Sequence, residues 1–186
     1  MFLKNGAWYP LQICAKQDGA HGQIEAGIHG IKGRGAYSVV LSNGEYADED
    51  YLKRILYCGT PRREGVPSPS TAYLLENHRR RQPVKVLRSS SLPAVNRYRL
   101  KKGLRYDGIY DVDAFKVLDT ETAIHRFTLR RRAGQAPIRY GGVEAHPTEE
   151  EKVAWQRIQQ SLGLPAGWMQ LGVQCLDTGL WYRVEK

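Results

Sequence analysis

Apolar and polar positions alternate along much of this chain, the two-residue period of strands that bury one face. Tyr9, Leu11 and Ile13 carry that period through residues 8–16, predicting a strand. Ala36–Leu41 is β-branched and apolar and predicts a buried strand, with Ser42-Asn43-Gly44 as the turn after it. Arg54–Cys58 and Pro83–Arg88 predict two more strands. Arg105–Leu118 and Ala123–Arg132 predict a hairpin turning at Asp119-Thr120-Glu121-Thr122. Two stretches change to helical spacing. Tyr73, Leu74, Leu75 and His78 predict a short helix ending near Arg81, capped by Ser70 or Thr71. Thr148-Glu149-Glu150-Glu151 is a capping box opening a helix that Gly163 and Pro165 stop near Leu162. Between these elements, glycine-rich 17–35, proline-rich 59–70 and basic 89–104 read as loops. The sum is a β-rich α+β domain with a curved sheet or barrel and two or three flanking helices.

The length, 186 residues, suits one domain with a small appendage. With 41% hydrophobic and 25% charged residues the chain can build a core. No apolar run approaches the ~18 residues of a membrane span, and Met1-Phe2-Leu3-Lys4-Asn5 has no secretory apolar region. Cys14, Cys58 and Cys175 form no disulfide framework and no CxxC, so a reducing, intracellular setting is expected. The formal charge of +9 is concentrated. Residues 1–78 are neutral, whereas 79–132 hold 15 basic and 5 acidic side chains, net +10. A basic face of that kind attracts polyanions, nucleic acid foremost. No HExxH, Cys/His metal spacing or P-loop is present. Glu150-Glu151-Lys152 contains a nuclease-like E-x-K, but on a helix start without an upstream aspartate partner.

Five segments occur in an order that is specific as a set: Ala26-Gly27-Ile28-His29-Gly30, Gly35–Leu41 with the acidic run 45–50, Tyr57-Cys58-Gly59, Pro83–Arg88, and Arg105-Tyr106-Asp107-Gly108-Ile109-Tyr110. Together they resemble the SRA domain (SET- and RING-associated), also called the YDG domain after the triplet at 106–108. The resemblance covers about Gly6 to Leu164. It implies a domain over 1–164; the extension over 165–186 matches nothing in it, and two short apolar runs around Asp177-Thr178-Gly179 predict a short hairpin packed on the domain. It also implies a twisted, saddle-like β-barrel of PUA-like type. The implied function is a non-enzymatic, cofactor-free reader that flips 5-methylcytosine out of duplex DNA. Its partner is double-stranded DNA carrying methylated cytosine, in CpG context. Nuclear localisation, chromatin-associated protein partners and no membrane contact follow from the same resemblance.

Cytosine's exocyclic amine is a hydrogen-bond donor on the Watson–Crick edge, and a carboxylate is its natural acceptor. Family spacing assigns that role to Asp48, with Glu49 and Asp50 one and two residues away. Thymine lacks the amine and would leave the acid unpaired. Tyr57 matches one of two stacking positions, each worth roughly 1–3 kcal/mol. The second falls on Glu45 in an ungapped count and on Tyr46 one residue later; Tyr46 is preferred because a carboxylate cannot stack. Cys58 and Thr60 match the methyl cup, worth about 0.8 kcal/mol per methyl, and the backbone N–H at 58 is expected to serve a base oxygen. Ser42 and Asn43 match a loop whose amides meet the base. Gln23, Ile24 and Glu25 match the loop that fills the gap left in the stack. Arg62 and Arg63 stand in a short second loop without the Asn-Lys-Arg finger of hemimethyl-selective members. Lys32 and Arg34 are candidates for phosphates. His29 and Asp107 are expected to be structural. Two other classes stay open: a base-flipping glycosylase or nuclease-type enzyme using Asp48, and an RNA-binding barrel module.

Overall fold

The computed structural model describes residues 3–43, 47–142 and 145–161. The expected strand over 8–16 is the first departure. Only Trp8–Tyr9 (β1) is extended, and Gln12–Gln17 is a helix (α1). Ile13, Cys14 and Ala15 are buried on it against Tyr9, Val40, Leu87, Leu104 and Tyr106. Three apolar residues at alternating positions were too short a sample to separate the two periods. The second departure is Ile28–Ile31 (β2), which arises inside the glycine-rich stretch and pairs antiparallel with Gly35–Leu41 (β3).

Glu49–Asp50 (β4) is a short strand within the acidic run, where the sequence predicted none, and the remaining strands lie close to the sequence boundaries: Arg54–Cys58 (β5), Pro83–Ser89 (β6), Leu104–Asp119 (β7) and Ile124–Arg131 (β8). They form one eight-stranded mixed sheet in the order β2-β3-β6-β7-β8-β5-β4, with β1 added on β7. Only β3 and β6 run parallel. The chain crosses between them through Pro69–Arg80 (α2), which packs on β3 and β7. Among the described residues β2 and β4 do not pair, so the sheet curves without closing. Its concave side holds Val39, Leu41, Ile55, Leu74, Val86, Tyr110, Phe127 and Leu129, all nearly inaccessible to water.

Ser68, not Ser70 or Thr71, caps α2: its Oγ accepts from the Thr71 N–H at 3.2 Å, and Pro69 takes the first helical position. Asn77 fastens the helix to β3 by accepting from the Ala36 N–H at 2.5 Å and donating to the Ala36 carbonyl at 2.8 Å. The capping box of Glu149–Ser161 (α3) forms as its sequence predicts. The Glu151 N–H donates to Thr148 Oγ1 at 3.2 Å, and the Thr148 N–H to Glu151 Oε2 at 2.8 Å. The extension over 165–186 lies outside the described residues.

The triplet Tyr106-Asp107-Gly108 sits on a β-bulge. Val86 pairs with Gly108 and Leu87 with Tyr106, which leaves Asp107 as the extra residue. Gly108 has φ +105°, a conformation that L side chains rarely adopt. The bulge sets Asp107 between two buried arginines. Arg88 Nη1 donates to Asp107 Oδ2 at 2.6 Å, and Arg105 Nη2 donates to the same oxygen at 2.8 Å, with Arg105 Nε on Oδ1. Arg88 also grips Asp50 bidentately, Nε to Oδ2 at 2.7 Å and Nη2 to Oδ1 at 2.6 Å. Two cations and two anions thus neutralise one another in the interior, where isolated charge is prohibitively costly.

Replacing Arg88 with leucine strands Asp50 and leaves Asp107 with Arg105 alone. The expected loss is about 3–5 kcal/mol of folding stability, read from the urea midpoint. A loss under about 1 kcal/mol would mean that the carboxylates find other partners.

Candidate nucleic-acid interface

Asp48 stands just before β4, and its position is set from both sides. Behind it, Asp50 is locked to Arg88, and the Asp50 Oδ1 atom also accepts from the Leu52 N–H at 2.9 Å. Leu52 turns the chain with φ +64°, and its carbonyl is held by Arg88 Nη2 at 2.8 Å and by the Tyr110 hydroxyl at 2.7 Å. Those bonds hold a non-glycine residue in an unfavourable backbone region. In front, Asp48 Oδ1 accepts from the Cys58 N–H of β5 at 2.7 Å. The Cys58 thiol, beside that N–H, also interacts with the Asp48 carboxyl.

Burial raises the Asp48 carboxyl from its ordinary 3.8 to about 6, against the lowering effect of the Cys58 N–H, with nearby Asp50 adding to the rise. Asp50 goes the other way: burial opposes its ionisation, but the bonds and charge of Arg88 outweigh that and hold it below the usual carboxylate range. The Cys58 thiol is driven up to about 11 by burial and then by the Asp48 charge, so at neutral pH it is an uncharged small apolar group.

Asp48 opens onto a cavity of about 400 Å³. Ser42 and Asn43 share its wall, together with Asp50 and Tyr51. Leu92, Pro93 and Val95 to Tyr98, between β6 and β7, line it as well; of these the sequence pointed only to Arg97 and Tyr98, as part of a basic run contributing to the general field. Asn96 docks that segment by donating Nδ2 to Asp50 Oδ2 at 3.2 Å. Its sequence signal was an asparagine in a basic loop, which composition cannot tell from any turn residue.

The other expected residues divide. Glu45 and Tyr46 lie outside the described residues, so the second stacking position is not located. Tyr57 is only 5% exposed, belongs to the main core, and donates its hydroxyl to the Gly27 carbonyl at 3.4 Å. Cys58 is buried, and its N–H, expected to serve a base oxygen, is already taken by Asp48. Thr60 faces Ser70, whose hydroxyl donates to its Oγ1 at 3.3 Å. Neither Tyr57, Cys58 nor Thr60 lines the cavity.

Gln23, Ile24 and Glu25 are exposed, and Ile24 offers half its surface to solvent. Their loop is nonetheless fastened. Gln12 Nε2 donates to the carbonyls of Ala26 at 2.9 Å and Gln23 at 3.3 Å. Buried His21 bridges Ser38 Oγ and the Ala26 carbonyl, each at 2.8 Å. Burial lowers His21 to about 4, so it is neutral at physiological pH. Lys32 and Arg34 project from the β2–β3 turn, and Arg62 is exposed; the Arg63 side chain lies outside the described residues. His29 packs under the loop, where a Cβ on Gly22 would overlap its ring.

This strand order, with its bulged YDG triplet and carboxylate-bearing cavity, defines an α+β module of the curved-sheet class. The chain belongs to the SAD/SRA domain family, whose model matches residues 3–135. It is 29% identical over 193 residues to the human E3 ubiquitin-protein ligase UHRF2, covering 88% of this chain and 23% of that protein. It is 28% identical over 156 residues to a UHRF1-like protein of Cryptococcus neoformans, covering 72% of this chain and 45% of that one. The chain therefore spans less than half the length of these curated relatives. Among solved structures it resembles the modification-dependent TagI restriction endonuclease (TM-score 0.60, 27% identity, 75% of this chain and 56% of that one). It also shares its fold with the SRA domain of SUVH5 in complex with hemimethylated CG DNA (TM-score 0.60, 23% identity, 74% and 94%).

The Asp48 carboxyl gives a pH signature. An unfolded carboxyl releases its proton near 3.8 and the folded one near 6, so between those values the folded state holds the extra proton. Stability therefore drains as pH rises through that window and is level above it. Urea midpoints of the wild type, taken relative to Asp48→Asn, should fall from about pH 4 to about pH 6. Parallel curves would mean that Asp48 titrates as an exposed carboxyl.

Proposed function

We propose that this chain is a non-enzymatic reader of 5-methylcytosine in duplex DNA that turns the modified base out of the helix into the cavity beside Asp48. The observation that carries this reading is a positioned carboxyl in the wall of a cavity. Asp48 Oδ1 is fixed by the Cys58 N–H, and the carboxyl lines the cavity, where it can accept from a base amine. A cytosine supplies that donor; a thymine brings a carbonyl oxygen, which the carboxylate repels. Membership of the SAD/SRA family and the fold shared with a DNA-bound SRA domain support the same reading.

In this reading Ser42 and Asn43 meet the base through their backbone, Tyr46 and Tyr57 stack on it, and Cys58 with Thr60 receives the methyl group. Tyr57 presents little open face in the free protein, so its part requires neighbouring side chains to yield as the base enters. Gln23, Ile24 and Glu25 fill the vacated stack, where Ile24 is the apolar wedge by chemistry. Lys32, Arg34, Arg62 and Arg63 meet phosphates. The chain works in the nucleus beside chromatin-associated proteins, and any catalysis resides in domains linked to it. No described helix is long and apolar enough to cross a membrane.

The test is fluorescence-polarisation binding to four duplexes that differ only at one CpG: unmodified, hemimethylated, fully methylated and hydroxymethylated. Wild type should prefer modified over unmodified DNA, and Asp48→Ala should lose that preference while keeping salt-sensitive binding. Equal binding to all four by the wild type would sink the reading. Release of free base from the duplex would make the chain a glycosylase instead.

A further inference from the structure

The cavity is also lined by a cation seated on two aromatic rings. Arg97 lines the cavity and is exposed. Its guanidinium carbon lies 5.6 Å from the ring centre of Tyr98 and 5.8 Å from that of Tyr140, two rings packed edge to face at 4.9 Å. Among the described residues Arg97 makes no ion pair. Five other arginines of the basic segment are committed to acids: Arg88 and Arg105 to Asp107, Arg130 to Asp113, Arg132 to Asp111 and Arg126 to Glu49. A guanidinium held on aromatic faces keeps its charge and donors while losing part of its side-chain freedom in advance.

Its seat is tied to the base-reading acid. Tyr98 accepts no slack: its N–H donates to Asn96 Oδ1 at 2.8 Å, and Asn96 donates to Asp50, two residues past Asp48. Arg105 Nη2 holds the Tyr98 carbonyl at 3.3 Å. One cavity is thus lined by an acceptor, Asp48, and by a cation seated on aromatic rings, Arg97. A single flipped nucleotide matches that pair, with a base edge for the acid and a flanking phosphate for the cation.

We infer that Arg97, seated on Tyr98 and Tyr140, is a clamp for the phosphate flanking the flipped nucleotide. This rests on the base-flipping reading above and adds a role that the binding motifs do not assign. Such a contact exists only while the base is turned into the cavity. It therefore contributes to binding of modified DNA and not to the general attraction between a basic face and a duplex.

The experiment compares wild type and Arg97→Gln on a methylated and an unmodified duplex at 50 and 200 mM salt. The side chain is exposed, so the variant should fold, which its thermal midpoint verifies. Arg97→Gln should weaken the methylated complex about tenfold at the lower salt, the scale of one charge-assisted hydrogen bond. Losing one phosphate contact also flattens the salt dependence, so the loss should shrink about three- to fourfold at 200 mM. Binding to unmodified DNA should stay the same. Equal weakening on both duplexes would make Arg97 part of the diffuse basic field, and no weakening on either would remove it from the interface. Either result overturns the clamp and leaves the reader intact. A wild type that binds both duplexes alike overturns the reader and the clamp together.

Discussion

The guanidinium of Arg88 is the tie on which this structure depends. It lies in the interior at 0% exposure, on a strand in the middle of the sheet, and reaches three segments at once. It holds Asp107 on the neighbouring strand, Asp50 on the short edge strand and the Leu52 carbonyl in the turn beyond. A lysine in its place could not do this, because one point charge cannot present a bidentate fork to one carboxylate and a further donor to another. The edge strand β4 has only two residues and pairs with one neighbour, too little ladder to fix its own position. Its location comes from the buried ion network, and with it the location of Asp48.

This dependence explains why the acidic run and the YDG triplet, more than fifty residues apart, belong to one arrangement. The triplet supplies a bulge, the bulge turns Asp107 inward, and Asp107 with Asp50 neutralises Arg88. Asp48 and Asp50 then behave oppositely for the same reason. Both are buried, but Asp50 faces a guanidinium and stays ionised, whereas Asp48 faces the N–H and thiol of Cys58, which do not offset its burial, and holds its proton more tightly. Two carboxylates in neighbouring positions are thereby separated into a structural anion and a chemical one.

Much of this was legible in the sequence, and the illegible part has physical causes. The hairpin of β7 and β8 and the buried run of β3 announced themselves through period and β-branching. The capping box of α3 did so through side chains whose partners lie within one turn. Local signals failed where tertiary contacts decide the state. Residues 12–17 became helical because that geometry sets Ile13, Cys14 and Ala15 against the second apolar cluster. Strand β2 formed among glycines because β3 offered it an edge. At the site, Asp48, Ser42 and Asn43 were readable from the spacing of a familiar set of motifs. The wall made by Leu92–Tyr98 was not, since its link to Asp50 spans 46 residues and leaves no periodic trace.

The fastened loop at 23–26 has a consequence for kinetics. Its exposed tip stands on bonds from Gln12 and from a histidine too deeply buried to charge in the physiological range. The cost of ordering that tip is met when the chain folds, not when it meets a duplex. An encounter then needs no ordering of that loop, and on the proposed reading the slow event shifts to the DNA, where a base pair must open. A base-flipping reader built this way would test one site, leave and test the next at a pace set by the stacking energy of the nucleic acid.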